Sequence, residues 1–258
     1  MAQDKNLPGI IEKAATKPPF RVLAIGTGTG QPFDEELLNM LCASQKSVVY
    51  TVVEPSQDSV KKFKEFVKEK YSSVEFEWFC MSWEDFQDKE WKGDTGDSSQ
   101  YNLIHLIHSL YYISSSVDEL RDRIRRCCAE MLIAGGAMVV LADDSTGKYC
   151  FASMGNLDRK FWWMFGVNVV LEVASNEGWK VDAQEEYFKV DLSKCFDEDS
   201  VEGNLLLDFL TLIKDVRLKT PKEEMVALLK HLEEKTDGEG KIVYPCILDC
   251  TTVWKEVP

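Results

Sequence analysis

Several groups of residues have the types and spacing for small-molecule chemistry. Ile25-Gly26-Thr27-Gly28-Thr29-Gly30 follows a short apolar run and precedes a helical pattern. Glycine is needed where a backbone turns tightly or approaches a ligand with no Cβ in the way. The G-x-G-x-G spacing is not the G-x-G-x-x-G dinucleotide fingerprint, and no Gly-Lys-Ser/Thr follows to make a phosphate loop. Glu54, in Val53-Glu54-Pro55-Ser56, offers a carboxylate that can accept two hydrogen bonds from vicinal ribose hydroxyls. Met81-Ser82-Trp83-Glu84-Asp85-Phe86 joins polar groups to an aromatic, which suits either an adenine ring or simple packing. In Ile104-His105-Leu106-Ile107-His108-Ser109-Leu110-Tyr111-Tyr112, a period of two puts His105 and Ile107 on one face and Leu106 and His108 on the other. His108 then lies at a strand end with Tyr111 and Tyr112 beside it.

Alternating elements must position these groups. Arg21 to Ile25 reads as a buried parallel strand that stops at the glycines. Asp34 to Ala43 carries apolar residues at helical spacing. Val48 to Val53 is a second strand, and Pro55-Ser56 opens a helix with Val60, Phe63, Phe66 and Val67 on one face. Val74 to Phe79, Tyr101 to Ile107, Ala137 to Ala142 and Lys180 to Val190 are further strands. Gly93 to Gln100 is a loop by composition. Ser116 to Leu132 and Phe161 to Glu177 are helical, the second closing at Gly178. This order predicts an α/β fold, a doubly wound, mostly parallel sheet over about 20–190. Residues 191–258 read as a C-terminal α+β elaboration of the same single domain. It holds helices at Val201–Phe209 and Lys222–Lys235 and one or two strands at Lys241–Trp254. The acid Glu54 and the glycine loop then sit side by side at the ends of strands one and two.

The chain has 258 residues, a formal charge of −14 and eight cysteines. Such acidity disfavours nucleic acid and anionic membrane surfaces as partners. No apolar run of membrane-spanning length and no signal-peptide segment is present. The scattered cysteines read as reduced thiols of a cytoplasmic protein, with no metal-site spacing. Arg121 to Arg126 reads as a solvated helix face, and Trp162-Trp163 as helix packing or an acceptor-pocket wall.

The glycine loop, Val53-Glu54-Pro55-Ser56 and His105 to Tyr112 together resemble class I S-adenosylmethionine-dependent methyltransferases of Rossmann-like fold. More narrowly, the chain is similar to the histamine N-methyltransferase family. Leu7-Pro8-Gly9-Ile10-Ile11, Cys195-Phe196, Gly203 to Leu206, Asp208 to Thr211 and Glu239-Gly240-Lys241 carry the resemblance toward both ends. It implies S-adenosyl-L-methionine as cofactor. Gly26, Gly28 and Gly30 would pass beneath its methionine part, and Glu54 would hold its ribose. Ser59 would lie near ribose or adenine, Ser82 and Trp83 near adenine, and Ile107 would contribute its backbone.

On the acceptor side, the resemblance implies Tyr111, Tyr112 and Phe209 as retained substrate contacts. His108 stands where the family has a glutamine, and Cys246 where it has an asparagine. Lys148 and Ala152 align loosely with two tryptophan walls. The family's N-terminal helical segment, with a substrate-binding glutamate, is expected to be missing. The expected activity is N-methylation of a small amine or imidazole, histamine-like, by a monomer with His108 as orienter or base. The C-terminal elaboration is expected to contribute to the acceptor pocket. A larger acceptor, or a cofactor-binding protein without catalysis, are the alternatives.

Overall fold

The computed structural model describes residues 7–15, 17–91, 100–110, 113–114, 116–143, 166–211, 213–233 and 243–255, with side chains at 143, 186–188 and 243–249 left out. The loop expected at Gly93 to Gln100 falls almost wholly outside these residues. So do Lys148 and Ala152, and Trp162-Trp163 with its flanking phenylalanines.

Seven strands form a sheet in the order β3-β2-β1-β4-β5-β7-β6. They are β1 Phe20–Ile25, β2 Val48–Val53, β3 Val74–Phe79, β4 Tyr101–Ile107, β5 Leu132–Asp143, β6 Lys180–Asp191 and β7 Val243–Trp254. The helices are α1 Leu7–Ala14, α2 Phe33–Ser44, α3 Gln57–Lys70, the short α4 Trp83–Asp85, α5 Val117–Arg126, α6 Val167–Glu177, α7 Val201–Thr211, α8 Val216–Lys219 and α9 Lys222–Glu233. The doubly wound α/β fold read from the sequence is therefore the fold observed. Among the described residues, no helix is long and apolar enough to cross a membrane.

Parallel pairing runs from β3 through β2, β1 and β4 to β5. Strands buried on both faces lose their alternation, and all six residues of β2 are buried. On one face Val22, Ala24, Tyr50 and Leu103 meet α1, α2 and α3 through Ile10, Leu37, Leu41 and Phe63. On the other, Leu23, Ile25, Ile104 and Leu106 meet α5 and α6 through Leu120, Ile124, Val170 and Val173. The order reverses between β1 and β4, which is where crevices open in such sheets.

Polar residues in the sheet have definite partners. Asn102, inside β4, donates to the Ala14 carbonyl at 2.8 Å and accepts from the Arg21 amide at 2.8 Å. It thereby closes the C-terminal end of α1 against β1. Ser56 caps α3 by accepting from the Ser59 amide. Gly178 ends α6 in the left-handed conformation, as its position implied.

The arginine run of α5 is a solvated face in part, with Arg123 the exception. Arg121 pairs with Glu172, and Arg125 with Glu177, so both reach α6. Arg126 pairs with Asp88. Arg123 is buried and donates to Gln87 Oε1 at 3.1 Å and Glu119 Oε1 at 3.0 Å. Arg121, Arg125 and Arg126 thus stay partly exposed while paired, and only Arg123 is an internal tie. A second difference is that α5 ends at Arg126 and continues as a wider π-turn over Cys127–Met131.

The chain divides into two compact units. The first comprises Met1–Ala142, Phe165–Gln184 and Cys250–Pro258, and holds the β1 to β4 ends discussed below. The second comprises Asp143–Met164 and Glu185–Asp249. It has its own small core of Leu192, Cys195, Leu207, Leu210, Leu228 and Leu232.

Gly30 shows why the loop needs glycine for packing as well as turning. Its φ is +76°, and a Cβ there would lie 2.4 Å from the Phe63 ring. Phe63 is fully buried against Trp78 and Phe66. Gly30→Ala is expected to destabilise the first unit by about 1–3 kcal/mol, through backbone strain and overpacking. Urea unfolding monitored by tryptophan fluorescence measures this, and an unchanged midpoint contradicts it.

Candidate active site

β1 and β2 run in register, Ile25 beside Val53, so their ends fall together. The Gly26 amide donates to the Val53 carbonyl at 2.8 Å, extending the pairing one residue into the glycine loop. Glu54 lies immediately beyond Val53. One of its oxygens accepts from the Gly28 amide at 2.9 Å, the other from the Ser56 amide at 2.8 Å. An ionised carboxylate has about four acceptor positions, so two remain. They are the number a vicinal diol uses.

Gly26 adopts φ +67°, and a Cβ there would meet Ser109 Cβ at 2.5 Å. Ser109 is buried and donates from Oγ to the Ile25 carbonyl at 2.7 Å. The ends of β1 and β4 are thus tied by a hydroxyl packed where a side chain at position 26 would stand.

A cavity of about 390 Å³ opens over these strand ends. Gly26, Gly28, Glu54, Ser82, Trp83 and His108 are among the residues that line it. The size is within the usual range for small-molecule sites, about 300–1,000 Å³. Trp83 is buried, stacked on Phe86 at 5.8 Å, and presents part of its surface to the cavity. Ser82 caps the short α4 by accepting from the Asp85 amide. A second cavity, of about 220 Å³, shares Ile25, Gly26 and His108 with the first and adds Ile107.

His108 follows β4 directly with φ +51°, a conformation uncommon outside glycine but several-fold enriched in His, Asn and Asp. Its amide donates to the Leu141 carbonyl at 2.8 Å, which anchors the turn to β5. The side chain is exposed where the two cavities meet.

Six sequence-derived candidates therefore line the first cavity, and Ile107 lines the second. Gly30 and Ser59 line neither: Gly30 packs on Phe63, and the Ser59 amide is held by the helix cap. Phe209 is exposed on α7. Tyr111, Tyr112 and the Cys246 side chain lie outside the described residues. Reading the sequence missed Pro55, Glu84, Ser109 and Ile113, all of which line the first cavity. Ser109 had a usable signal, a small residue beyond a strand end opposite an obligatory glycine. Among the described residues, no cluster of His, Cys, Asp or Glu forms a metal site.

The residues fit S-adenosylmethionine: a ribose-height carboxylate with two free acceptor positions, a Cβ-free loop, and an aromatic beyond β3. The fold agrees with this. Residues spanning 96% of the chain superpose on a cyclopropane synthase, MmaA2, from Mycobacterium tuberculosis (TM-score 0.51, 11% identity, 82% of that chain). A putative sarcosine dimethylglycine methyltransferase from Galdieria sulphuraria gives a TM-score of 0.50 at 13% identity, covering 97% of this chain and 84% of the other. The fold and the sequence relatives define a class I, S-adenosylmethionine-dependent methyltransferase. Its sequence is similar to histamine N-methyltransferases. Over 258 residues it is 26% identical to histamine N-methyltransferase B of Xenopus laevis, covering 93% of this chain and 84% of that protein. It is 25% identical to the Rattus norvegicus enzyme (93% and 83% covered) and 25% identical to that of Danio rerio (87% and 78% covered). No family model matches the chain.

Glu54→Gln tests the bridging carboxylate. A carboxamide must turn its NH2 toward one of the two amides that Glu54 accepts from. S-adenosylhomocysteine binding should weaken by about 1–3 kcal/mol in calorimetry, and equal affinity removes Glu54 from the site.

Proposed function

We propose that this methyltransferase acts on a nitrogen of a small amine or imidazole compound, histamine-like in size and charge, using the first cavity for the donor. The observation that carries the reading is the meeting of two cavities at Ile25, Gly26 and His108. Likeness to histamine N-methyltransferases over most of the chain supports the acceptor class.

When bound, S-adenosylmethionine supplies a methyl group made electrophilic by a sulfonium charge. The protein's task is to align and to exclude water, since in-line transfer gains mainly from orientation. Glu54 would hold the ribose hydroxyls on its two remaining acceptor positions, and Trp83 and Ser82 would border the adenine. Gly26, held over the Ser109 contact, allows the donor's chain to pass close to the backbone. His108 holds a hydrogen of the acceptor nitrogen, directly or through water, and so turns its lone pair toward the donor. No nucleophilic side chain is needed, and an imidazole suits the proton-accepting role near neutral pH. The net charge of −14 favours approach of a cationic acceptor. We carry Tyr111, Tyr112, Phe209 and Cys246 as proposed acceptor contacts, on the resemblance alone.

Two measurements test this reading. S-adenosylhomocysteine at about a hundred times its Kd should stabilise the protein by about 2.7 kcal/mol, visible as a raised Tm. Methyl release against a panel of imidazoles, amines and peptides should select a small nitrogen compound. His108→Ala should lower that turnover about 10²-fold. Turnover unchanged in His108→Ala removes its role, and a peptide preference overturns the acceptor class.

A further inference from the structure

The turn that carries Trp83 and Glu84 to the first cavity is gripped by α5. After α4 the chain runs into a single π-turn, Phe86–Glu90, closed by the Trp91 amide on the Phe86 carbonyl at 2.9 Å. A second π-turn, Cys127–Met131, continues α5. Such turns are rare and occur frequently at functional sites. Here one residue joins the two. Gln87, in the first turn, is wholly buried. Its Nε2 donates to the Arg123 carbonyl at 3.3 Å. The same nitrogen lies 3.8 Å from Cys127 Sγ and 3.7 Å from Met131 Sδ, at the first and last residues of the second turn. Its Oε1 accepts from Arg123 Nη1 at 3.1 Å. A carbonyl only accepts and a guanidinium only donates, so the amide fits one way round. Gln87 and Arg123 thus clasp each other at two points. Around them, Asp88 pairs with Arg123 and Arg126, and Arg126 Nη2 donates to the Gln87 carbonyl at 2.9 Å.

The clasp reaches the cavity through one aromatic. Phe86 adjoins Gln87 and is buried between Phe79, edge-on at 4.9 Å, and Trp83, stacked at 5.8 Å. Trp83 in turn lines the first cavity. Close-packed interiors transmit displacement, so the place of Phe86 sets the place of the Trp83 ring. Gln87 lines neither cavity, and any effect it has on a ligand is indirect. We propose that Gln87 is a positioning residue of the donor site: its clasp on Arg123 fixes the turn under Phe86, and through Phe86 it sets the Trp83 wall. The proposal rests on the reading of the first cavity as the donor's adenosine site.

Calorimetry with S-adenosylhomocysteine tests this, because it reads affinity and the fraction of competent sites separately. Gln87→Met roughly keeps the volume and removes the clasp. Well below the variant's unfolding temperature, its Kd should be about tenfold higher with stoichiometry unchanged. Arg123→Lys keeps the charge but not the planar fork, and should raise Kd about threefold or more. Arg121→Gln lies on the same helix, but Arg121 pairs with Glu172 of α6, so Kd should not change. A fall in stoichiometry at unchanged Kd in Gln87→Met marks the clasp as a structural tie and overturns the proposal. Unchanged Kd in Arg123→Lys also overturns it, and decides the matter should Gln87→Met not fold. If Arg121→Gln weakens binding as much as Gln87→Met does, the effect belongs to α5 as a whole and the proposal falls. A wild type that binds no S-adenosylhomocysteine removes the donor reading and this proposal with it. Wild-type binding with unchanged Kd in both clasp variants sinks this proposal alone.

Discussion

Glu54 accepts one backbone amide from the glycine loop and another from the turn that opens α3, and the rest of the site depends on this bridge. Without it, the loop over Thr27 and Gly28 would have only local bonds to fix its path. The carboxylate is 7% exposed, yet it is satisfied, because two charge-assisted hydrogen bonds offset its desolvation. The bridge is made wholly by the protein's own groups, and it leaves two acceptor positions of the carboxylate facing the cavity.

The bridge holds because the strands beneath it are in register. Ile25 beside Val53 and Val53 beside Phe79 bring three strand ends to one level. The amides of Gly26 and Glu54 continue that pairing past the strands. Ser109 then closes the β1–β4 side by donating to the Ile25 carbonyl. The crevice at the switch point is thus walled by backbone, with side chains added only where polarity is needed. Local order and the position of the site have one cause, the reversal of strand order between β1 and β4.

This explains what could be read from the sequence. Buried parallel strands announce themselves as continuous apolar runs, and β2 and β4 lie where those runs predict, whereas β3 was legible from its alternation. Gly26 and Gly28 were legible because turn geometry requires them, and Glu54 because an acid directly follows an apolar strand. Gly30 was legible as a glycine but not in its role, since its reason is the Phe63 ring of a helix about thirty residues later. The pairings of the α5 arginines, and the burial of Arg123, were not legible because the partners Gln87, Asp88, Glu172 and Glu177 are remote in sequence. Asp34 looked like an ordinary helix-opening acid. Only the fold sets it against Tyr50 and His105 from two different strands.

The donor and acceptor halves of such an enzyme differ in what sequence drift does to them. On the proposed donor side the chain offers amides, carbonyls, a glycine and one carboxylate, and a backbone group survives most substitutions around it. The fold is shared at 11–13% identity with the solved structures. Acceptor recognition must come from side chains, which change singly. His108 shows how such a change is constrained. Its left-handed backbone costs of order 1 kcal/mol or more for most residues, and it is held in place by the Leu141 carbonyl. Residues that tolerate this conformation are few, chiefly Gly, Asn, Asp and His. The backbone at the junction thus favours a histidine there, and a residue such as the glutamine of the resembled family would meet this conformation at a cost that histidine lowers.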